Sequence, residues 1–137
     1  MNDARLIVVA RVNNTEDERK VERAIKNIFP EIKLCLVKDA EAGRIMKGEA
    51  QGFLGLSNFR ELLRRERIRA AARSQMFLSI MEGSIIISLN KQAAFVGRVS
   101  FASDSESPLG SITVKLECAD PVSAIWWLTQ DSTSKVA

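Results

Sequence analysis

Eight basic side chains fall between residues 44 and 73: Arg44, Lys47, Arg60, Arg64, Arg65, Arg67, Arg69 and Arg73. Only Glu49, Glu61 and Glu66 oppose them, a local balance of +5. Residues 1–43 balance to zero and residues 74–137 to −2, so the net charge of +3 comes wholly from this segment. Seven of the eight are arginine, whose planar fork engages two phosphate oxygens at once. On a helix turning about 100° per residue, Arg60, Arg64 and Arg67 line one flank of an apolar stripe, and Arg65 and Arg69 line the other. Glu61 and Glu66 cannot neutralise six arginines, which reads as a phosphate-binding ridge. The alternative is that the stems cover apolar surface while the heads reach water, joined by ordinary Glu–Arg helix pairs.

A second set of donors lies at Asn90-Lys91-Gln92-Ala93-Ala94, where amides and an ammonium could read bases or ribose. Lys91 to Arg98 partly resembles the aromatic signature of RRM domains. The first stacking ring is replaced by Ala93 and the last by Arg98, and stacking is the chemistry of that motif. No stacking platform is evident, so shape or backbone recognition is expected. Two glycine strings mimic phosphate motifs and fail. Gly43 to Gly48 has Walker spacing, but Glu49-Ala50 replaces the lysine and hydroxyl that hold phosphate and magnesium. Gly52-Phe53-Leu54-Gly55 matches the GXXG of KH domains but follows a strand.

Other chemistries are excluded by missing residue types. The chain has no His and no Tyr, and its two cysteines, Cys35 and Cys118, stand far apart in apolar runs. Zinc clusters and His-based acid–base catalysis cannot be built. The cysteines are expected to be reduced, partly buried thiols. No catalytic residue, metal or cofactor is expected.

These residues must be positioned by a 137-residue chain, 46% hydrophobic and 27% charged, which reads as one domain over residues 1–137. Arg5–Val12 reads as a strand, and Thr15 to Glu18 as a capping box opening a helix. Val21, Ala24, Ile25, Ile28 and Phe29 form its buried face, and Pro30 ends it. Strands are expected next at 32–37 and 44–53. One long helix is expected over 58–82, with Ser57 as N-cap, Gly83 as its stop, and Phe59, Leu62, Leu63, Ala70, Phe77, Ile80 and Met81 as core. Glu66 and Arg73 point at that core and require partners, whereas Ile68 points away with Ala71 and Ala72. Strands at 84–89, 95–101 and 111–118 are expected, with a hairpin-like loop at 90–94. A polar loop over 103–110 precedes the last of these strands. A short helix capped by Asp120 comes after it, carrying Trp126 and Trp127, and 130–137 reads as a flexible tail. The order β-α-β-β-α-β-β-β-α gives an α+β class with a mostly antiparallel sheet. No run approaches the length of a membrane span, so a soluble, cytoplasmic protein is expected.

Three strings carry a resemblance. They are Val12-Asn13-Asn14-Thr15-Glu16-Asp17 with Asn27-Ile28-Phe29-Pro30; Arg60-Glu61-Leu62-Leu63-Arg64-Arg65 with Arg67-Ile68 and Ala72-Arg73; and Asn90 to Gly97 with Val99-Ser100-Phe101 and Pro108 to Ile112. Over about residues 5–129 they are similar to a small archaeal family of uncharacterised proteins, some of them labelled RNA-binding. The resemblance implies a fold like that of the ribosomal protein that binds the small 5S RNA, an elaborated RRM-like α+β sandwich. It implies no catalytic residue, and it points to Lys91, Gln92 and Arg98, whose other reading is a structural hairpin.

The expected function is non-catalytic RNA binding through Arg60, Arg64, Arg65, Arg67 and Arg69, with Lys91, Gln92 and Arg98 adding contacts. The alternative is an interaction or assembly protein that uses the long helix as a contact face, with a homodimer through the face containing Ile68. An enzyme acting on a phosphorylated small molecule ranks third.

Overall fold

The structure is a computed structural model and describes residues 4–41, 43–102 and 110–130. The expected tail beyond Gln130 and most of the 103–110 loop lie outside those residues. Six strands form one sheet among the described residues: β1 (Arg5–Val12), β2 (Lys33–Asp39), β3 (Gly43–Gln51), β4 (Ile80–Met81), β5 (Ser84–Asn90) and β6 (Ser111–Glu117). Their spatial order is β2-β3-β1-β6-β5-β4, and every neighbouring pair is antiparallel. The helices are α1 (Glu18–Ile28), α2 (Ser57–Arg65), α3 (Arg69–Leu78), α4 (Lys91–Phe95) and α5 (Pro121–Thr129), with a 3-10 turn at Phe53–Leu56.

Strand alternation decides which sheet face is covered. Leu6, Val8, Ala10 and Val12 of β1 are buried, as are Ile85, Ile87 and Leu89 of β5 and Ile112, Val114 and Leu116 of β6. Val21, Ala24, Ile25 and Ile28 of α1, Phe59, Leu62 and Leu63 of α2, Ala72 and Met76 of α3, and Ala124, Ile125 and Leu128 of α5 complete that core. Phe29 and Phe59 meet inside it at 5.4 Å between ring centres.

Gly48 shows how tightly the β2–β3 pair is drawn. It stands opposite Leu34 in β2 and Val8 in β1. A Cβ there would lie 2.6 Å from Leu34 Cδ2 and 2.8 Å from the Lys33 carbonyl oxygen. Backbone cannot withdraw as a side-chain tip can, so Gly48→Ala is expected to cost about 1–3 kcal/mol, as overpacking does. Urea unfolding of that variant at unchanged midpoint would reject this close approach.

Four local expectations are corrected. The N-cap of α1 is Asp17, which accepts from the Arg19 amide, while Glu16 turns back to accept from the Asn13 amide at 2.9 Å. The cap of α1 thus sits two residues later than the expected Thr15, and the Asn13–Glu16 bonds close the turn before it. The expected long helix is two helices, because α2 stops and the helix restarts across Glu66-Arg67-Ile68. Arg67 takes a positive φ of 59°, its amide donates to the Arg64 carbonyl, and the Ile68 amide donates to Leu63. That is the bonding pattern of a left-handed helix stop, with arginine in the position usually held by glycine. The third correction concerns Gly83, which turns the β4–β5 hairpin at φ 73° instead of stopping a helix. The fourth is that residues 91–95 are helical and 95–101 is not a strand, apart from one bridge between Leu89 and Phe101.

The break resets the helical phase. Phe59, Leu62 and Leu63 are buried as expected, yet Ala70, Phe77 and Met81 are exposed, and Ala72 and Met76 take their place. Ile68 does not face outward: it is partly buried and packs on the core, with Ala72 buried and Ala71 exposed. The outward apolar face expected for a homodimer is therefore not formed by these residues. Cys118 is partly buried and Cys35 is exposed, and neither forms a disulfide.

Candidate nucleic-acid interface

The three strings that carry the family resemblance meet in space. Lys91 is buried, and its Nζ donates to Glu16 Oε1 at 3.0 Å and to the Arg11 carbonyl at 2.5 Å. Burial pushes the Glu16 carboxyl up, but bonds from Asn13 and Lys91 outweigh it and hold the group below its ordinary 4.5. Asn90 caps α4 by accepting from the Ala93 amide at 2.8 Å. Asn27 Nδ2 donates to the Ala94 and Phe95 carbonyls at 3.0 and 2.9 Å, satisfying the open end of α4. Asn58 Nδ2 does the same for the end of α1, donating to Asn27 and Ile28 at 3.0 Å. These asparagines tie α1, α2 and α4 into one rigid layer.

Lys91 therefore serves the interior, and its ammonium does not face a ligand. Gln92, one residue on, is exposed. Arg98 is exposed on the loop after the Gly97 turn. The adjacent Val99 amide donates to Glu66 Oε1 at 3.2 Å, which gives Glu66 the partner its position demanded. This bond sets Arg98 beside the α2–α3 break, where Arg65 and Arg67 are also exposed.

The other arginines are distributed differently from two parallel rows. Arg60 donates to the Trp127 carbonyl at 2.8 Å and lies 4.8 Å from the centre of that indole. Arg73 donates to Thr129 through Nε and Nη2 and lies 4.4 Å from the centre of Trp126. Arg64 pairs with Glu61, whose carboxyl is held below its ordinary value chiefly by that bond. Arg69 is partly buried at the start of α3. Arg44 reaches back to the Asn13 and Glu16 carbonyls. Arg23, which nothing in the sequence singled out, lies 5.3 Å from the Phe95 ring and extends the basic side toward α1.

What remains is a compact basic rim of Arg65, Arg67 and Arg98, none of which makes an ion pair or a side-chain hydrogen bond among the described residues. Glu66 lies among them but is engaged by a backbone amide. Such a rim can take phosphate oxygens without first breaking internal pairs. Among the described residues, no group of three or more Cys, Asp or Glu is placed to hold a metal ion. No helix among them is long and apolar enough to cross a membrane.

A family model described as RNA binding matches residues 5–118. A UPF0201 protein of Sulfurisphaera tokodaii is 40% identical over 135 residues, covering 96% of this chain and 91% of that protein. One from Methanothermobacter thermautotrophicus is 37% identical over 124 residues, covering 90% of this chain and 89% of that protein. The crystal structure of a UPF0201 protein from Methanococcus jannaschii superposes with a TM-score of 0.83 at 33% identity, covering 91% of this chain and 98% of that one. The names of these relatives state no enzymatic activity. This chain matches the model described as RNA binding over most of its length, and with nearly whole-length agreement in both sequence and fold it belongs to this archaeal family of UPF0201 proteins.

Proposed function

We propose that this protein binds RNA without catalysis, chiefly through phosphate contacts from Arg65, Arg67 and Arg98, with Arg64 and Gln92 at the margin of the same surface. The observation that supports this most is the engagement of Glu66 by the Val99 amide, which leaves three exposed guanidinium groups around it without a competing carboxylate bond. The family description supports RNA as the polyanion. Phosphate contacts fix position and carry little sequence information, so affinity is expected to vary weakly with base sequence. The reading takes the fold to be akin to the ribosomal protein that binds 5S RNA on the sequence resemblance alone, and takes the cytoplasm as the place of action.

Replacing Arg65, Arg67 and Arg98 together by Gln tests this. Each phosphate contact on a single strand contributes about 0.7 to the slope of log affinity against log salt, so the slope is expected to fall by about 2. The measurement is fluorescence anisotropy with a labelled RNA across a salt series. Unchanged slope and affinity would remove this rim from the interface. Arg60 and Arg73 are poor choices for the same test, since their loss disturbs α5.

A further inference from the structure

The helix α5 is apolar on more than its buried side. From Pro121 to Thr129 it carries no charged residue. Ala124, Ile125 and Leu128 face the core, whereas Val122 and Trp126, one turn apart, face out. Trp126 is 47% exposed, and Phe77 of α3, itself 38% exposed, meets it nearly edge-on at 6.1 Å. Leu78 and Met81 beside Phe77 are 84% and 64% exposed. Five of the seven exposed large apolar side chains among the described residues thus lie on α5, at the end of α3 and on the strand that follows it. Their concentration exceeds the scattered single exposures normal for a surface and marks a contact site.

The chemistry beneath Trp126 narrows what that site takes. The Arg73 guanidinium lies 4.4 Å from the indole centre and is itself pinned by two hydrogen bonds, to the Thr129 hydroxyl at 3.0 Å and its carbonyl at 3.1 Å. Thr129 is buried and donates to the Ile125 carbonyl at 2.8 Å, so the anchor is rigid. The indole is held flat on a fixed cation, with Phe77 bracing its edge.

We propose that Trp126 and Phe77, backed by Arg73, form a stacking platform for an unpaired base of single-stranded RNA. The order of residues along α3 favours a nucleic acid over a protein partner. Arg69, Arg73 and Phe77 recur every four residues, which sets Arg73 under the indole and the Phe77 ring on the line of α3 that starts at Arg69 beside the rim. Arg69 to Phe77 spans about 12 Å at 1.5 Å per residue, close to three or four bases stacked about 3.4 Å apart. Arg65 and Arg67 stand at the basic end of that line, so a strand whose phosphates lie on the rim reaches the indole with a base. A charged track ending on a ring is the arrangement by which proteins hold single strands. The inference rests on the RNA-binding reading and revises the expectation of pure backbone recognition.

The test uses the full chain with Trp127→Phe, which leaves Trp126 as the sole tryptophan. A single-stranded ten-nucleotide RNA is expected to quench its fluorescence, and the same sequence as a duplex is expected not to. Trp126→Ala should weaken single-strand affinity about five- to hundred-fold, the worth of one stacked base, with the salt slope unchanged because no phosphate contact is lost. Trp126→Phe should recover most of the affinity, which separates stacking from loss of fold. If the single strand binds by anisotropy with no quenching, and Trp126→Ala binds like the parent, the platform is wrong while the RNA-binding reading stands. Absence of binding to either RNA overturns both. If Trp126→Ala converts a dimer to a monomer in sedimentation without altering RNA affinity, the patch joins copies of the chain and the platform is likewise overturned.

Discussion

Lys91→Ala is expected to lower the free energy of unfolding by about 3 kcal/mol, at the lower end of the range for removing one partner of a buried ion pair. The Lys91 ammonium bonds Glu16 and the Arg11 carbonyl, and both side chains of the pair are largely shielded from water. The effect carries a pH signature. Glu16 titrates below its ordinary 4.5 in the folded protein, so its contribution is fully present above that value and is lost as pH falls through the depressed folded one. The stability gap between parent and Lys91→Ala should therefore narrow in acid. Urea unfolding from neutral pH to about pH 3 measures it, and a gap independent of pH would contradict the pairing. RNA affinity of the folded variant should match the parent, because the ammonium faces inward.

Leu62→Ala is expected to cost about 2–5 kcal/mol, since it empties a leucine-sized volume from the core. Phe77→Ala, which removes a larger side chain, is expected to cost under about 1 kcal/mol because the ring is substantially exposed and its contact is with another surface ring. The pair is diagnostic. One uninterrupted amphipathic helix over 58–82 would bury both residues, and equal large losses in thermal or urea unfolding would restore that helix. A large loss at Leu62 with a small one at Phe77 requires that the helix break at Arg67.

Sequence by itself determined the parts of this protein governed by near-neighbour chemistry. The strands at Arg5–Val12, Ser84–Asn90 and Ser111–Glu117, the α1 face of Val21, Ala24, Ile25 and Ile28, and the Asp120 cap with Pro121 were legible because period and capping are local. The need of Glu66 and Arg73 for partners was legible too, because a charge aimed at a core cannot stand alone. The break at Arg67 was not legible. A left-handed stop is ordinarily announced by glycine, and an arginine adopts it here where Ile68 packs against the core and Glu66 takes the Val99 amide from another element. Tertiary structure alone decided which arginines face water, since the partners of Arg60 and Arg73 are indoles and carbonyls 53 to 67 residues away in the chain. It also turned the Asn90–Ala94 string from a loop into a capped helix, because Asn27 and Glu16 supply from α1 and its approach the bonds that close it. Hydrogen bonds between distant segments leave no period in a sequence, and here they select both the basic rim and the exposed indole.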